Sequence, residues 1–265
     1  MFKKRLITTL LLTPLVLLLI FYANSLVIAA VILLLGLLCG LEWIALVPLK
    51  SIFCRMLFML ALLGMIGLIY ILSPLDWWMG IGLTIWAAIV LSVLFFPQSQ
   101  KIWGYRGNVA LMGLILLPVF MHSLLALYHQ TQGKDLVVYL LCIVWMSDIG
   151  AYLVGKYYGQ HRLIPAVSPG KTWEGGLGGF ILAFAAALIG HIYFQQYKLV
   201  PWITLAMVVI ITAMFGDLAI SMLKRRVHLK DTGNLLPGHG GMLDRLDSLL
   251  FAGPCFYVGV RFLTL

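Results

Sequence analysis

Long apolar runs constrain the fold of this chain more than any other feature of its sequence. Of the 265 residues, 63% are hydrophobic and only 10% are charged, whereas soluble proteins carry about 25% charged residues. A helix that crosses a bilayer needs about 20 mostly apolar residues, so we predict an all-α polytopic membrane protein with about nine transmembrane helices. The predicted spans are residues 6–23, 26–47, 53–72, 77–96, 109–127, 136–154, 177–194, 200–221 and 248–265.

The positions of Lys and Arg support these spans and orient them. Cytosolic loops of membrane proteins carry an excess of Lys and Arg. With the N-terminus on the cytosolic side, all of the 18 Lys and Arg residues except Lys134, Lys198 and Arg261 fall on that side. The pattern therefore predicts a cytosolic N-terminus and a C-terminus outside.

Two predicted cytosolic loops, 155–176 and 223–246, are longer than the other connections and mix His, Asp, Lys, Arg and Gly. Long loops in compact proteins are usually functional or disordered, and this composition favours function. We therefore divide the chain into an N-terminal multi-span membrane region, 1–135, and a second membrane region, 136–265, which holds both loops and is expected to be the catalytic one.

Acidic residues are scarce, and two of them lie within predicted spans close to these loops. The chain has nine Asp and Glu residues, among them Asp148 and Asp217 near the cytosolic ends of their spans. A carboxylate within the membrane is costly unless it is paired, hydrated or bound to a cation. An interhelical ion pair would explain either residue alone, but two acids at matched depth favour a shared site.

Two further carboxylates occur in the stretch HGGMLDRLD, residues 239–247. If Asp244 begins the last helix, Asp244 and Asp247 lie about one turn apart on one face. A divalent cation would relieve their repulsion, and Mg²⁺ commonly binds one or two carboxylates together with substrate phosphates. Capping of the helix N-terminus is the alternative interpretation.

Basic residues and glycines surround these acids. The run KRRVHLKD, residues 224–231, precedes PGHGG, residues 237–241. Lys and Arg bind phosphate groups, although basic residues beside a membrane also bind anionic lipid headgroups. Glycines allow the backbone to approach a ligand closely. We therefore predict a metal-carboxylate and phosphate-binding site at the cytosolic face, partly within the membrane.

The net charge of +9 is expected to attract anionic lipid and nucleotide to that face, and no nucleic-acid partner is expected. Lys171 belongs to a GKT triplet, but Pro165 replaces a glycine that a P-loop requires, and a membrane helix rather than a strand is expected to precede it. Lys171 is therefore expected to contact phosphate without a P-loop.

The same segments resemble a known family. Residues 221–247, SMLKRRVHLKDTGNLLPGHGGMLDRLD, resemble from end to end the signature of bacterial phosphatidate cytidylyltransferases (CDP-diacylglycerol synthases). Residues 145–176, WMSDIGAYLVGKYYGQHRLIPAVSPGKTWEGG, resemble the second segment that the family shares. The resemblance implies transfer of a cytidylyl group from CTP to phosphatidic acid by a homodimer in the bacterial inner membrane. It also implies a paired cation site for Mg²⁺ and a second cation such as K⁺.

The resemblance further implies roles for individual residues. Asp217, Asp244 and Asp247 are expected to bind metal. Asp217, Asp244, Lys224 and Arg225 are expected to be catalytic. Lys224 and Arg225 would hold phosphates while the lipid phosphate attacks the α-phosphate of CTP in line. Whether Asp247 binds metal or only orients its neighbours stays open. The residues expected to bind substrate are Asp148, Lys171, Ser221, Lys230, Asp231, His239, Gly240, Gly241 and Arg245.

Two other interpretations have less support. CDP-alcohol phosphotransferases also use aspartate-bound metal in a membrane, but their pattern opens with Asp-Gly, which this chain lacks. An ion-coupled transporter relying on Asp148 and Asp217 would hold its site near the midplane of the bilayer. Here both acids are predicted to lie near one face, and no internal repeat is visible.

Overall fold

The structure is a computed structural model that describes residues 2–71, 75–235 and 240–264. Helices dominate it, and the one pair of strands in the described residues is short. The elements are α1 (Phe2–Tyr22), α2 (Ser25–Leu46), α3 (Ile52–Ile71), α4 (Leu75–Leu94), α5 (Gln100–Trp103), α6 (Arg106–Tyr128), α7 (Gly133–Tyr158), β1 (Arg162–Ile164), β2 (Ser168–Thr172), α8 (Trp173–Tyr193), α9 (Leu199–Arg226) and α10 (Leu243–Thr264).

Eight of the described helices are long and apolar enough to cross a membrane, namely α2, α3, α4, α6, α7, α8, α9 and α10. They confirm the prediction of an all-α polytopic membrane protein. The remaining predicted span, 6–23, is helical within α1, but its described apolar part, Leu10–Tyr22, is shorter than a span. That span, the sidedness of the termini and the division at residue 135 stay predictions.

The outer surface of the helices is apolar, as a bilayer requires. Leu60, Leu177 and Ile189 are 63%, 64% and 70% exposed, and many other large apolar side chains on the same helices are exposed as well. Soluble monomers rarely expose continuous apolar patches larger than a few hundred Å². The exposed surface of these helices is therefore suited to contact with lipid.

Close packing holds α7 against α8. A Cβ atom at Gly178 would lie 2.7 Å from the carbonyl oxygen of Gly150, and one at Gly179 would lie 2.9 Å from that of Ser147. Small residues let two membrane helices approach to backbone contact. The glycines thereby fix the positions of Asp148 on α7 and of the segment that leads into α8.

The N-terminal spans are tied to the end of α9. Arg226, in the last turn of α9, donates from Nε to the carbonyl of Gly104 at 2.7 Å and from a terminal nitrogen to that of Leu46 at 2.9 Å. The indole of Trp43 in α2 donates to the carbonyl of Val109 in α6 at 2.9 Å. The two predicted regions of the chain therefore pack against each other.

The predicted loop 155–176 contains more structure than the sequence indicated. Helix α7 continues to Tyr158, and β1 and β2 then form an antiparallel hairpin. Lys171 lies in β2, and the side chain of Thr172 accepts a hydrogen bond from the amide of Gly175 and caps α8. The expectation that a membrane helix rather than a strand precedes the GKT triplet is wrong, because β1 and the hairpin turn follow α7 and the triplet itself ends β2.

Candidate active site

A cavity of ≈ 500 Å³ lies where α7, α8, α9 and the first turns of α10 meet the hairpin. It brings together charged residues that are far apart in the sequence. Its lining includes five carboxylates and three cations, which are Asp148, Asp217, Asp231, Asp244, Asp247, Lys171, Lys224 and Arg245. Such a concentration of charge in a chain with nine acidic residues makes this cavity the candidate site.

Asp217 is paired with a lysine from the hairpin. The Nζ atom of Lys171 lies 2.6 Å from Oδ2 of Asp217, and the two side chains are 28% and 31% exposed. Ser221, one turn later on α9, donates from Oγ to Oδ1 of Asp217 at 3.3 Å. Three predicted site residues from two segments therefore meet at one carboxylate.

Asp244 forms a second, more deeply buried pair. Its Oδ1 lies 2.7 Å from Nζ of Lys224, and the side chains are only 4% and 9% exposed. Its Oδ2 accepts the amides of Thr232 at 2.8 Å and Gly241 at 3.0 Å. A buried ion pair is stable only when further hydrogen bonds satisfy its remaining polar atoms, and these loop amides do so for Asp244.

Asp247 lies one turn after Asp244, and it is buried. Its Oδ1 accepts the amide of Ser248 at 2.8 Å. Close packing brings it near α9, since a Cβ atom at Gly216 would lie 2.7 Å from the backbone oxygen of Asp247. Because α10 begins at Leu243, five residues before the predicted span 248–265, Asp244 and Asp247 both lie in its first turns, which is the condition on which their placement on one face depended.

Two predicted phosphate ligands, Arg225 and Lys230, do not line the cavity. Arg225 donates from Nε to the carbonyl of Val167 and from a terminal nitrogen to that of Leu229, each at 3.2 Å. It therefore links the turn of the hairpin to the loop after α9. Lys230 is exposed, and among the described residues neither cation lines the cavity. Their phosphate-binding roles stay predictions.

The glycine segment is only partly described. Gly240 has a φ of +84°, a conformation that L side chains rarely adopt, and Gly241 donates its amide to Asp244. These contacts give the two glycines a part in shaping the loop before α10. His239, which was predicted to bind substrate, lies outside the described residues.

The donor chemistry of the cavity fits a hard divalent cation. Among residues 2–71, 75–235 and 240–264, no group of three or more His, Cys, Asp or Glu side chains is arranged to hold a metal. Mg²⁺, however, usually takes only one or two protein carboxylates and completes its shell with water and substrate phosphates. Asp217, Asp244 and Asp247 are the residues that would hold it, and this assignment stays a prediction.

Glu42 is a residue that the sequence reasoning missed. It lies near the end of α2, and its carboxylate accepts the amides of Met242 and Leu243, each at 2.8 Å. The hydroxyl of Thr232 lies 2.9 Å from the same carboxylate. One signal could have identified Glu42: it is an acid inside a predicted span near the predicted cytosolic end, as are Asp148 and Asp217.

The fold and the cavity define an integral membrane protein with a polar, charge-dense site built by its later helices. Comparison with known sequences gives the family. The chain matches the family described as "Cytidylyltransferase family" over residues 3–263. It therefore belongs to the cytidylyltransferase family, and the resemblance drawn from the two sequence segments is confirmed.

Three relatives from different bacteria share the name phosphatidate cytidylyltransferase. A phosphatidate cytidylyltransferase of Pseudomonas aeruginosa is 38% identical over 178 residues, which is 66% of this chain and 66% of that protein. One of Haemophilus influenzae is 39% identical over 184 residues, 64% of each chain. One of Staphylococcus haemolyticus is 32% identical over 200 residues, 64% of this chain and 76% of its own. The match thus spans slightly less than two thirds of the length of the first two relatives.

Proposed function

We propose that this protein transfers a cytidylyl group from CTP to phosphatidic acid and releases pyrophosphate, forming CDP-diacylglycerol. The observation that carries the proposal is the cavity. Both segments that resemble the family, 145–176 and 221–247, contribute charged residues to it. The two segments supply Lys171 from one side and Lys224 with Asp244 from the other. The names of the relatives supply the substrates.

The cavity combines three cationic side chains with carboxylates that could hold a divalent cation, and this combination suits a reaction between two polyanions. An oxygen of the lipid phosphate forms a bond to the α-phosphorus of CTP, and the bond from that phosphorus to the bridging oxygen of pyrophosphate breaks. No proton transfer is needed, because the nucleophile is already an anion. Lys171 and Lys224 would neutralise phosphate charge, and their carboxylate partners hold both ammonium groups in place. A bound Mg²⁺ would supply further charge neutralisation at the phosphates.

The apolar part of the cavity supports a lipid substrate. Tyr152 lies one helical turn after Asp148 on α7 and is 63% exposed, and the partly exposed side chains of Trp145 and Met214 line the same cavity. A substrate that is charged at one end and apolar at the other would satisfy both parts of this lining. A water-soluble phosphate ester would leave the apolar part exposed to water.

We further propose that the protein lies in the bacterial inner membrane with the site at the cytosolic face, as a homodimer, with Mg²⁺ and K⁺ as its cations. The Lys and Arg pattern supports this orientation. A single-cysteine scan of the predicted loops with a membrane-impermeant thiol reagent tests it, because loops 155–176 and 223–246 should label only after the membrane is opened. Cross-linking in native membranes tests the homodimer.

The activity is tested with the purified protein in detergent micelles that contain phosphatidic acid, labelled CTP and Mg²⁺. We expect a labelled CDP-lipid and pyrophosphate in equal amounts, and no lipid product when diacylglycerol replaces phosphatidic acid. The same preparation with EDTA in excess of Mg²⁺ should form no product. A folded protein that makes no CDP-lipid under these conditions would contradict the proposal and favour the transporter alternative.

A further inference from the structure

Glu42 connects the N-terminal spans to the candidate active site. Its Oε1 accepts the amide of Met242 and its Oε2 accepts that of Leu243, each at 2.8 Å. These are the amides at the start of α10, where a helix presents donors without partners and the positive end of its dipole. A carboxylate on α2 therefore caps the helix that carries Asp244.

The loop before α10 packs directly onto this carboxylate. A Cβ atom at Gly233 would lie 2.7 Å from Oε1 of Glu42, and one at Gly241 would collide with Oε2. Glycine at both positions lets the backbone reach the carboxylate. The position of this loop is therefore set by a side chain about 190 positions earlier in the sequence.

Thr232 joins Glu42 to Asp244. Its hydroxyl lies 2.9 Å from Oε2 of Glu42 and 3.0 Å from Oδ2 of Asp244, and its amide donates to the same Oδ2 at 2.8 Å. A hydroxyl has one hydrogen, so it donates to one of the two carboxylates at a time. Asp244 is thus held by a loop that Glu42 holds in turn.

We propose that Glu42 is a positioning residue for the reaction, acting through Thr232 and the start of α10 on Asp244 and its partner Lys224. This inference rests on the proposed function. Glu42 does not line the cavity, so its removal should impair the chemical step and leave substrate binding largely intact. Loss of a partner that orients an active-site ligand commonly lowers activity by about 10–100-fold.

The kinetic test compares Glu42→Gln and Glu42→Ala with the wild-type protein. We expect kcat to fall by about 10–100-fold, with the KM values for CTP and phosphatidic acid changing far less. Thr232→Val is measured alone and combined with Glu42→Ala. The double variant should be no slower than the slower of these two single variants, because both changes break the same connection. Asp135→Asn, an acid at the far end of α7, is the matched control and should keep the wild-type kcat.

Hydrogen exchange of the unliganded protein tests the same connection without catalysis. In Glu42→Ala we expect faster exchange at Met242 and Leu243, which lose their acceptor, and also at Thr232 and Gly241, whose acceptor is Asp244. Faster exchange at Met242 and Leu243 alone would reduce Glu42 to a local cap and overturn the inference, as would a wild-type kcat in Glu42→Ala. If the wild-type protein itself forms no CDP-lipid, the proposed function fails, and exchange at Thr232 and Gly241 still decides whether Glu42 positions Asp244.

Discussion

Removing either partner of the Lys224–Asp244 pair should destabilise the protein to different extents. At a separation of 2.7 Å, the attraction of two unit charges is about 6 kcal/mol at an effective dielectric constant of about 20. Much of that attraction offsets the cost of removing both groups from water. The measured effect of each single substitution therefore depends on what the remaining partner still contacts.

Asp244→Ala leaves an ammonium group buried and removes the acceptor of two loop amides, those of Thr232 and Gly241. Breaking a buried pair in this way typically costs about 3–5 kcal/mol. In Lys224→Met, Asp244 keeps both amide donors, so we expect a smaller loss, about 1–3 kcal/mol. The stability of the folded protein is therefore expected to depend more on the carboxylate of Asp244 than on the ammonium group of Lys224.

The assay is equilibrium unfolding of the unliganded protein by guanidinium in detergent micelles, followed by the loss of helical circular dichroism. Asp231→Ala is the matched control, because Asp231 lines the same cavity but is exposed, and its removal should change the unfolding free energy by less than about 0.5 kcal/mol. Equal losses for Asp244→Ala and Lys224→Met, or a larger loss for Lys224→Met, would refute the reasoning that the loop amides compensate Asp244.

Other substitutions test the remaining contacts. Lys171→Met should lower kcat/KM for CTP yet change stability by at most about 1 kcal/mol, because its pair with Asp217 is partly exposed; Lys171→Arg should keep more activity, and equal activity in the two variants would contradict a charge-neutralising role. Arg225→Lys should speed hydrogen exchange in β2, because a lysine cannot span both carbonyls; unchanged exchange would count against the link. Gly240→Ala should lower the melting temperature through about 1–2 kcal/mol of backbone strain, and an unchanged melting temperature would argue against the left-handed backbone there.

The spans could be predicted from the sequence because a bilayer imposes one simple requirement on composition and length. The same requirement identified Asp148 and Asp217 as costly residues inside spans, and both line the cavity. The start of α10 next to Asp244 could also be predicted, since an acid after a glycine-rich segment is typical of a helix N-terminus. These inferences depend on local patterns that need no knowledge of distant contacts.

The rest of the site depends on contacts that the sequence does not encode locally. Strands β1 and β2 have three and five residues, too short for a clear alternating pattern, and β2 contains Pro169 and Gly170, which are residue types typical of turns and loops. Arg225 belongs to a basic run typical of phosphate binding, but it donates to the carbonyl of Val167 in the hairpin turn and to that of Leu229 in the loop after α9, and it does not line the cavity. Tertiary packing decides which cation binds a carbonyl and which one lines the cavity.

The two lysine–carboxylate pairs give the site a specific electrostatic character. If Lys171 and Lys224 had no partners, their ammonium groups could move freely and would have to be ordered when a polyanion binds. Asp217 and Asp244 order them beforehand, and each carboxylate also offsets the charge of the ammonium group that it holds. Preorganised charges stabilise a transition state without reorganisation during the reaction. Because Glu42 anchors one of these pairs and the hairpin supplies the lysine of the other, the N-terminal spans and the hairpin both contribute to the same preorganisation.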